Sequence, residues 1–241
     1  MDFSASLDLA ASLPDSLGPL VADIDGTLTD DDRAIDPRVM PVLRAWPAPV
    51  VIATGKALPY PVALCDFLGI EPLVVAENGG VALVGRSGTI EFTGDREAAA
   101  AVAREYREAG HGLGWGAADL VNRWRETEIA VSRDSPLEPL ERIAAEHGLE
   151  VVDTGYAYHV KSAAQSKGRA LEVVAAELGV DLGECVAVGD STNDVSTFER
   201  VGRSVAVANA DDDALAAAGH VTDAGFGEGF LEAVAWLAER A

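Results

Sequence analysis

Three short stretches of this sequence place carboxylates and hydroxyls directly after apolar runs, and a fourth opens a helical pattern with a lysine. They contain the candidate residues Asp23, Asp25, Thr54, Lys167, Asp190, Asn193 and Asp194. Carboxylates that lie together repel one another, so such a group needs a cation, and oxygen ligands favour Mg²⁺. A hydroxyl and an ammonium group nearby would hold a phosphate dianion. The set is typical of phosphoryl transfer through a phosphorylated aspartate.

Several apolar runs of the chain have the length and composition of strands that are buried on both faces. They are "PLVAD", "PVVIATG", "LVVAENGG", "CVAVGD" and "SVAVAN". Helical patterns alternate with them at about 37–45, 58–68, 165–178, 192–200, 211–218 and 227–240. This alternation predicts an α/β fold with a doubly wound, mainly parallel sheet. Ligands of such sheets bind beyond the carboxyl ends of the strands, where we expect the candidate residues to meet.

The middle of the chain breaks this alternation and indicates an insert. "VALVGRSGTIEF" predicts a hairpin with "GRSG" as its turn, and two further segments predict helices, "DREAAAAVAREYREAG" and "PLEPLERIAAEHG". Strands are predicted for "DLVNRWRETEIAVS", "LEVVDTG" and "YAYHVKS". We therefore predict an α+β cap at 85–158 and a catalytic core at 18–84 and 159–241. The N-terminal extension, 1–17, is either loose or a short surface helix.

The composition excludes several classes of partner. The chain has 241 residues, 49% of them hydrophobic, and a net charge of -22 from 40 Asp and Glu against 18 Lys and Arg. This charge repels nucleic acid and anionic membranes, and no apolar run approaches the length of a membrane span. Such acidity is typical of proteins from salt-loving organisms, in which concentrated salt screens self-repulsion.

Two further features bear on where the protein works. The two cysteines lack metal-binding spacing, and the first 18 residues lack the basic region of a signal peptide. We therefore expect a reduced, cytoplasmic protein. The sequence leaves open whether it is a monomer or a homodimer.

The four stretches resemble, in order, the four motifs of the haloacid dehalogenase-like (HAD) phosphatases. "DIDGTLT" is similar to the family's "DxDGT", and "VVIATGK" to its strand-ending Ser or Thr. Lys167 in "QSKGRAL" resembles the third motif, and "VGDSTND" is similar to the fourth, "GDSxND". The resemblance implies a HAD-like core with a cap over the active-site face.

The resemblance also implies roles for individual residues. Asp23 would attack phosphorus, while Asp25 would protonate the leaving group and then activate water. Thr54 and Lys167 would bind the phosphoryl oxygens, and Asn193 would support the substrate-binding loop of the fourth motif. Mg²⁺ would be held by Asp23, the backbone carbonyl of Asp25, Asp190 and Asp194.

The insert carries a narrower resemblance. "AENGG", "NRWRE" and "TGYAYHV" resemble the archaeal type of phosphoglycolate phosphatase, which implies hydrolysis of 2-phosphoglycolate to glycolate and phosphate. Recognition of a small carboxylate needs a cation. Arg123 and Arg125 share one face of a predicted strand, and we favour Arg123 for this role. "ATGK" departs from the family pattern and leaves the role of Lys56 open.

Other functions fit the same motifs. A phosphatase for a sugar phosphate or sucrose phosphate would share every catalytic residue, and a mutase that moves phosphate within a sugar is a second enzymatic alternative. A phospho-acceptor regulatory domain also uses an aspartate, Mg²⁺ and a lysine. The predicted partner in the favoured function is a small-molecule phosphate ester.

Overall fold

The computed structural model describes residues 1–86 and 88–241 of the chain. The strands are β1 (Leu20–Ala22), β2 (Val50–Ala53), β3 (Leu73–Ala76), β4 (Val81–Val84), β5 (Ile90–Phe92), β6 (Ile129–Ser132), β7 (Leu149–Asp153), β8 (Ala157–Ser162), β9 (Val186–Gly189), β10 (Arg203–Ala206) and β11 (His220–Val221). The helices are α1 (Phe3–Ala11), α2 (Val39–Ala45), α3 (Pro59–Leu68), α4 (Arg96–Glu108), α5 (Leu137–Glu146), α6 (Lys167–Leu178), α7 (Thr192–Phe198), α8 (Asp212–Ala217) and α9 (Phe226–Ala238).

Eight strands form one large sheet in the order β11-β10-β9-β1-β2-β3-β4-β5. The strands from β11 to β3 in this order are parallel, and β4 and β5 continue the sheet as an antiparallel hairpin. The predicted hairpin turn includes Ser87, which lies outside the described residues. The mainly parallel sheet confirms the predicted α/β class.

The central strands of the large sheet are buried on both faces, because their alternate residues enter different apolar clusters. Leu20 packs on one face with residues such as Phe230 of α9. Val21 packs on the other face with residues such as Leu171 of α6. Successive side chains of a strand point to opposite faces of the sheet, and here both faces are apolar. The sequences of these strands are therefore continuous apolar runs.

The inserted segment forms a second, smaller sheet in the order β6-β8-β7, all antiparallel. Helices α4 and α5 pack on it through a separate apolar cluster that includes Tyr106, Leu140 and Val160. The domain limits at 84/85 and 158/159 stay a prediction. Because β5 still pairs with the large sheet and β8 extends the small one to Ser162, we propose that the cap comprises about 95–162.

The prediction of a strand over "DLVNRWRETEIAVS" is wrong for its first ten residues. Only β6 is a strand, and residues 119–128 form turns and bends and contain no strand. The carboxylate of Glu77 accepts hydrogen bonds from the backbone N–H groups of Glu126 and Thr127, and the carboxylate of Asp119 accepts one from the backbone N–H of Asn122. Local and long-range side chains thus bind backbone groups that a strand would need for its ladder.

The N-terminal extension contains a helix rather than a loose chain. Asp2 caps α1 by accepting a hydrogen bond from the N–H of Ala5 at 2.9 Å. Leu9 packs against the core, so the helix covers part of it. No helix of the described ranges has both the length and the apolar character needed to cross a membrane.

Candidate active site

The candidate residues converge at the carboxyl edge of the large sheet, around one buried lysine. Lys167 is the first residue of α6 and is almost fully buried. Its Nζ donates to Asp23 Oδ1 at 2.7 Å and to Asp194 Oδ1 at 2.8 Å. These two carboxylates raise the pKa of Lys167 although burial opposes them, so the ammonium stays charged. A buried cation therefore joins the first, third and fourth motifs.

Helix α6 begins at this position because of a close backbone approach. Ser166 is the N-cap and accepts a hydrogen bond from the N–H of Arg169. Gly79 lies against the carbonyl of Ser166 with a φ of 89°, and a Cβ at this glycine would overlap that carbonyl. A left-handed, side-chain-free residue is required there, so the glycine after β3 sets the position of Lys167.

A second glycine brings the first and fourth motifs together. Gly26 has a φ of 81°, and a Cβ there would overlap the carboxylate of Asp190. Next to it, the hydroxyl of Thr27 donates to Asp190 Oδ1 at 3.0 Å. In the "DGT" segment after β1, the glycine thus permits a tight turn and the threonine supplies a hydroxyl donor.

Three carboxylates of this edge form a cluster that fits a divalent cation. One oxygen from each of Asp23, Asp190 and Asp194 lies within 4.8 Å of the others. Burial and the neighbouring carboxylates raise the pKa of Asp23 to about 7, against the pull of Lys167, and the pKa of Asp190 to about 9. The cluster therefore carries more carboxylates than one lysine neutralises, and a divalent cation would relieve this repulsion.

The three carboxylates differ in how many oxygens the protein already uses. Both oxygens of Asp194 accept hydrogen bonds, one from Lys167 and the other from the N–H groups of Asp190 and Ser191. Asp23 Oδ2 and Asp190 Oδ2 accept none from the described part of the chain. Asp23 and Asp190 therefore each keep one oxygen that accepts no hydrogen bond from the described residues, while Asp194 fixes the loop and the lysine.

Asp25 lies at the mouth of the site and is held by two cations. Its carboxylate accepts from Lys56 Nζ at 2.8 Å and from Arg33 Nη2 at 3.1 Å. Its side chain is 29% exposed, unlike the buried Asp23 two residues earlier. This difference in position fits an acid and base that faces the leaving group, beside a nucleophile that lies deeper.

The structure places the two other predicted phosphate-site residues differently. Thr54 is buried at the end of β2, and its Oγ1 accepts a hydrogen bond from the N–H of Lys56 at 3.1 Å. Asn193 lines the cavity, and its Nδ2 donates to Asn78 Oδ1 at 3.2 Å. Thr54 is thus next to the cavity-lining Gly55 but does not line the cavity itself.

A cavity of about 920 Å³ separates this edge from the cap. The cap contributes residues from 120–125, from the β7–β8 turn and from β8. Arg125 lines the cavity, whereas Arg123 is exposed in a turn and is not among the lining residues. The interpretation that both arginines share one face of a strand is therefore wrong, and the structure does not bring Arg123 to the site.

A buried polar network joins cap and core beside the cavity, and its members were not predicted as a group. Glu128 ion-pairs with Arg125, contacts His159 Nδ1 at 3.2 Å and accepts from Asn78 Nδ2 at 3.0 Å. Arg125 also donates from Nη2 to the carbonyl of Gly55 at 2.9 Å. Burial would raise the pKa of Glu128, but the Arg125 and His159 charges outweigh it and lower the pKa to about 2.

The core side of this network adopts an unusual backbone conformation. Glu77 and Asn78 both have positive φ, 52° and 53°. Non-glycine residues seldom adopt this region, and they do so where surrounding contacts enforce it. Here Glu77 holds the cap segment and Asn78 contacts both Glu128 and Asn193. The letters "ENG" after β3 predict a turn, but they do not predict that this turn contacts the cap.

Comparison with known proteins decides the family. A model of the haloacid dehalogenase-like hydrolases matches residues 20–101 and 141–233. The chain belongs to the haloacid dehalogenase-like hydrolases. It is therefore a hydrolase, and its small α+β domain is consistent with a HAD cap.

Solved and curated HAD relatives cover nearly the whole chain. A phosphoglycolate phosphatase of Haloarcula marismortui is 60% identical over 217 residues, which are 90% of this chain and 96% of the relative. One of Natronomonas pharaonis is 59% identical over 218 residues, 90% and 96% of the two chains. The crystal structure of a Thermoplasma acidophilum protein has a TM-score of 0.78 at 26% identity, and the match covers 92% of this chain and 98% of that one. The acidic, halophilic composition fits the haloarchaeal relatives.

Proposed function

We propose that this HAD hydrolase is a Mg²⁺-dependent phosphomonoesterase that converts 2-phosphoglycolate to glycolate and phosphate through an aspartyl-phosphate. The observation that carries the chemistry is the buried Lys167, which holds Asp23 and Asp194 beside Asp190. The names of the two haloarchaeal relatives support the substrate.

In the first half-reaction, Asp23 Oδ2 attacks phosphorus while Lys167 holds Oδ1 and fixes the direction of the free oxygen. The bond between phosphorus and the leaving oxygen breaks, and Asp25 gives that oxygen its proton. Glycolate leaves, and the phosphoryl group remains on Asp23.

In the second half-reaction, Asp25 takes a proton from a water molecule that attacks the phosphorus. The bond between phosphorus and Asp23 breaks, which restores the carboxylate and releases phosphate. The same carboxyl group thus works as acid and then as base. Its partly exposed position at the cavity mouth allows water to reach it.

The donor set fits Mg²⁺ through Asp23, Asp190, the backbone carbonyl of Asp25 and Asp194. When bound, the cation would neutralise the phosphoryl oxygens and the carboxylates that surround them. Lys167 supplies the second positive charge, and Asn193 helps to hold the loop of the fourth motif. The cap excludes bulk water from the cavity and contacts the leaving group, so it can select the substrate.

The first prediction concerns substrate and metal. In molar KCl with Mg²⁺, kcat/KM for 2-phosphoglycolate should exceed that for a hexose phosphate or sucrose phosphate by about 100-fold, because the cations that line the cavity match a small ester with a second negative charge. EDTA should stop the reaction and added Mg²⁺ should restore it. The phosphate released in a stopped assay measures the turnover of all three substrates.

Each alternative function gives a different result in this assay. A preference for the sugar esters would replace the substrate proposal with that of a sugar-phosphate phosphatase. Isomerised sugar phosphate without phosphate release would indicate a mutase. A single phosphorylation without turnover would indicate a phospho-acceptor domain.

The second prediction concerns the pH dependence of Mg²⁺ binding. Without metal, the pKa values of Asp23 and Asp190 are raised to about 7 and about 9. Since the cation binds ionised carboxylates, its apparent Kd should fall as pH rises through this window, by at most about tenfold per pH unit for each proton released. The metal-free protein should lose stability as pH rises from the ordinary carboxyl value of 3.8 toward these folded-state values, because over that range its folded state keeps protons that its unfolded state has lost.

Calorimetric titration of Mg²⁺ in buffers of different ionisation enthalpy measures both the Kd and the protons released. A Kd that is constant from about pH 6 to about pH 9, with no proton release, would contradict the prediction.

A further inference from the structure

We propose that Lys56, assisted by Arg33, binds a carboxylate on the leaving group and so selects phosphate esters of small hydroxy acids. This inference rests on the proposed phosphatase function and deepens it. It assigns the recognition of the substrate's second charge to the core, next to the second motif, rather than to the exposed Arg123 of the cap.

The position of Lys56 relative to the acid and base is the first observation. Its Nζ lies 2.8 Å from both carboxylate oxygens of Asp25, and Arg33 Nη2 lies 3.1 Å from one of them. A general acid must lie within hydrogen-bond reach of the leaving oxygen. In glycolate, a single methylene carbon separates that oxygen from the carboxylate. The carboxylate must therefore lie close to Asp25, where these two cations are.

The charges around the cavity are the second observation. Lys167 is bound to Asp23 and Asp194, and Lys161 Nζ is bound to Glu150 and to a backbone carbonyl. Arg125 is paired with the buried Glu128. These three cations each have at least one carboxylate of their own.

Lys56 and Arg33, by contrast, share the single carboxylate of Asp25 within the described residues. One positive charge is therefore in excess at the mouth of a site whose protein carries a net charge of -22. A substrate anion would balance that charge. Among the described cations that line the cavity, this pair is the best placed to bind the leaving group's carboxylate.

The backbone around Lys56 is fixed, so its side chain starts from a defined position. Its N–H donates to Thr54 Oγ1, and its carbonyl accepts from the N–H of Glu77 at 3.0 Å. Arg33 has a φ of 67° in its turn, and its guanidinium lies 5.1 Å from the ring centre of Tyr156 on the cap. Both cations are thus anchored in the core, and Arg33 also contacts the cap that would close over a substrate.

The test compares 2-phosphoglycolate with the phosphate ester of glycolamide, in which a neutral amide replaces the carboxylate. Both esters need the same proton from Asp25, so the ratio of their kcat/KM values isolates recognition of the charge. Lys56→Met should lower this ratio by about 10- to 100-fold, the range expected for loss of a charge-assisted hydrogen bond. Lys56→Arg should keep most of it, and Arg33→Gln combined with Lys56→Met should remove the preference.

The matched control is Lys161→Met, which removes a cavity lysine that is paired with Glu150 and should leave the ratio unchanged. Turnover of the neutral ester shows that each variant is folded. Suppose that the wild-type protein prefers 2-phosphoglycolate to the glycolamide ester and that Lys56→Met keeps the same preference. That result would refute the role of Lys56 and leave the phosphatase function standing. If wild type does not prefer the acid over the amide, the substrate proposal and this inference both fail.

Discussion

Replacing Asp23 with Asn should lower the turnover of every phosphate ester by about 10⁴-fold or more, because an amide cannot form the covalent intermediate. Asp23 is buried, and its free Oδ2 has no donor among the residues that the structure describes. The fold should persist, because asparagine has nearly the same shape as aspartate. The substitution also removes a carboxyl group that is costly to ionise, since burial raises the pKa of Asp23 to about 7. Initial rates and circular dichroism check the two halves of this expectation.

Asp36→Asn is the matched control for this variant. Asp36 is also a buried carboxylate with a cationic partner, Arg38, but it does not line the cavity. Its substitution should leave turnover near the wild-type value at temperatures where the protein is folded. If Asp23→Asn turns over phosphate esters at the wild-type rate, Asp23 is not the nucleophile.

Replacing Glu128 with Gln should lower the free energy of unfolding by about 3–5 kcal/mol, the usual effect of removing one partner from a buried ion pair. Arg125 would keep a buried guanidinium without a negative partner, and one of the two oxygens that contact His159 and Asn78 would become an NH₂ group. Because the folded-state pKa of Glu128 is about 2, its contribution is present above the ordinary carboxyl pKa. It is lost as pH falls toward 2.

Urea unfolding in molar KCl measures this change, and Glu146→Gln in the same cap is the matched control. Glu146 pairs with Arg142 at i,i+4, but both side chains are more than half exposed, so its loss should change stability by less than about 0.5 kcal/mol. Removing Arg125 together with Glu128 should recover part of the loss, since no unpaired charge remains. Equal effects of the two Glu→Gln changes would show that burial of the pair is not what stabilises this boundary.

The core of the fold and the carboxylate cluster were predictable from the sequence because their signals are local. Apolar runs such as "PVVIATG" carry the pattern of a strand buried on both faces, and the first, second and fourth motifs follow their strands directly. The topology then does the rest, since the carboxyl ends of parallel strands meet at one edge. Asp23 and Asp190 are neighbours for this reason, although 166 residues separate them along the chain.

The cap boundary was not predictable in the same way because its conformation depends on distant side chains. The carboxylate of Glu77 binds backbone N–H groups of 126–127, and this contact replaces the strand that alternation indicated. Arg125 rather than Arg123 therefore faces the cavity. Likewise, nothing local to "ATGK" shows that Lys56 reaches Asp25, because that contact spans two loops of the sheet edge.

The central claim is that phosphate passes through Asp23, and trapping the phosphorylated protein tests it most directly. Asp25→Asn should still accept a phosphoryl group from an aryl phosphate, whose leaving group needs no proton, but should hydrolyse the product slowly. We predict that acid quenching of this variant with labelled ester and Mg²⁺ yields one phosphoryl group per protein, located on Asp23. If labelled phosphate is released while no phosphoryl group is found on the protein, the proposed mechanism is wrong. A phosphoryl group on any residue other than Asp23 would contradict it as well.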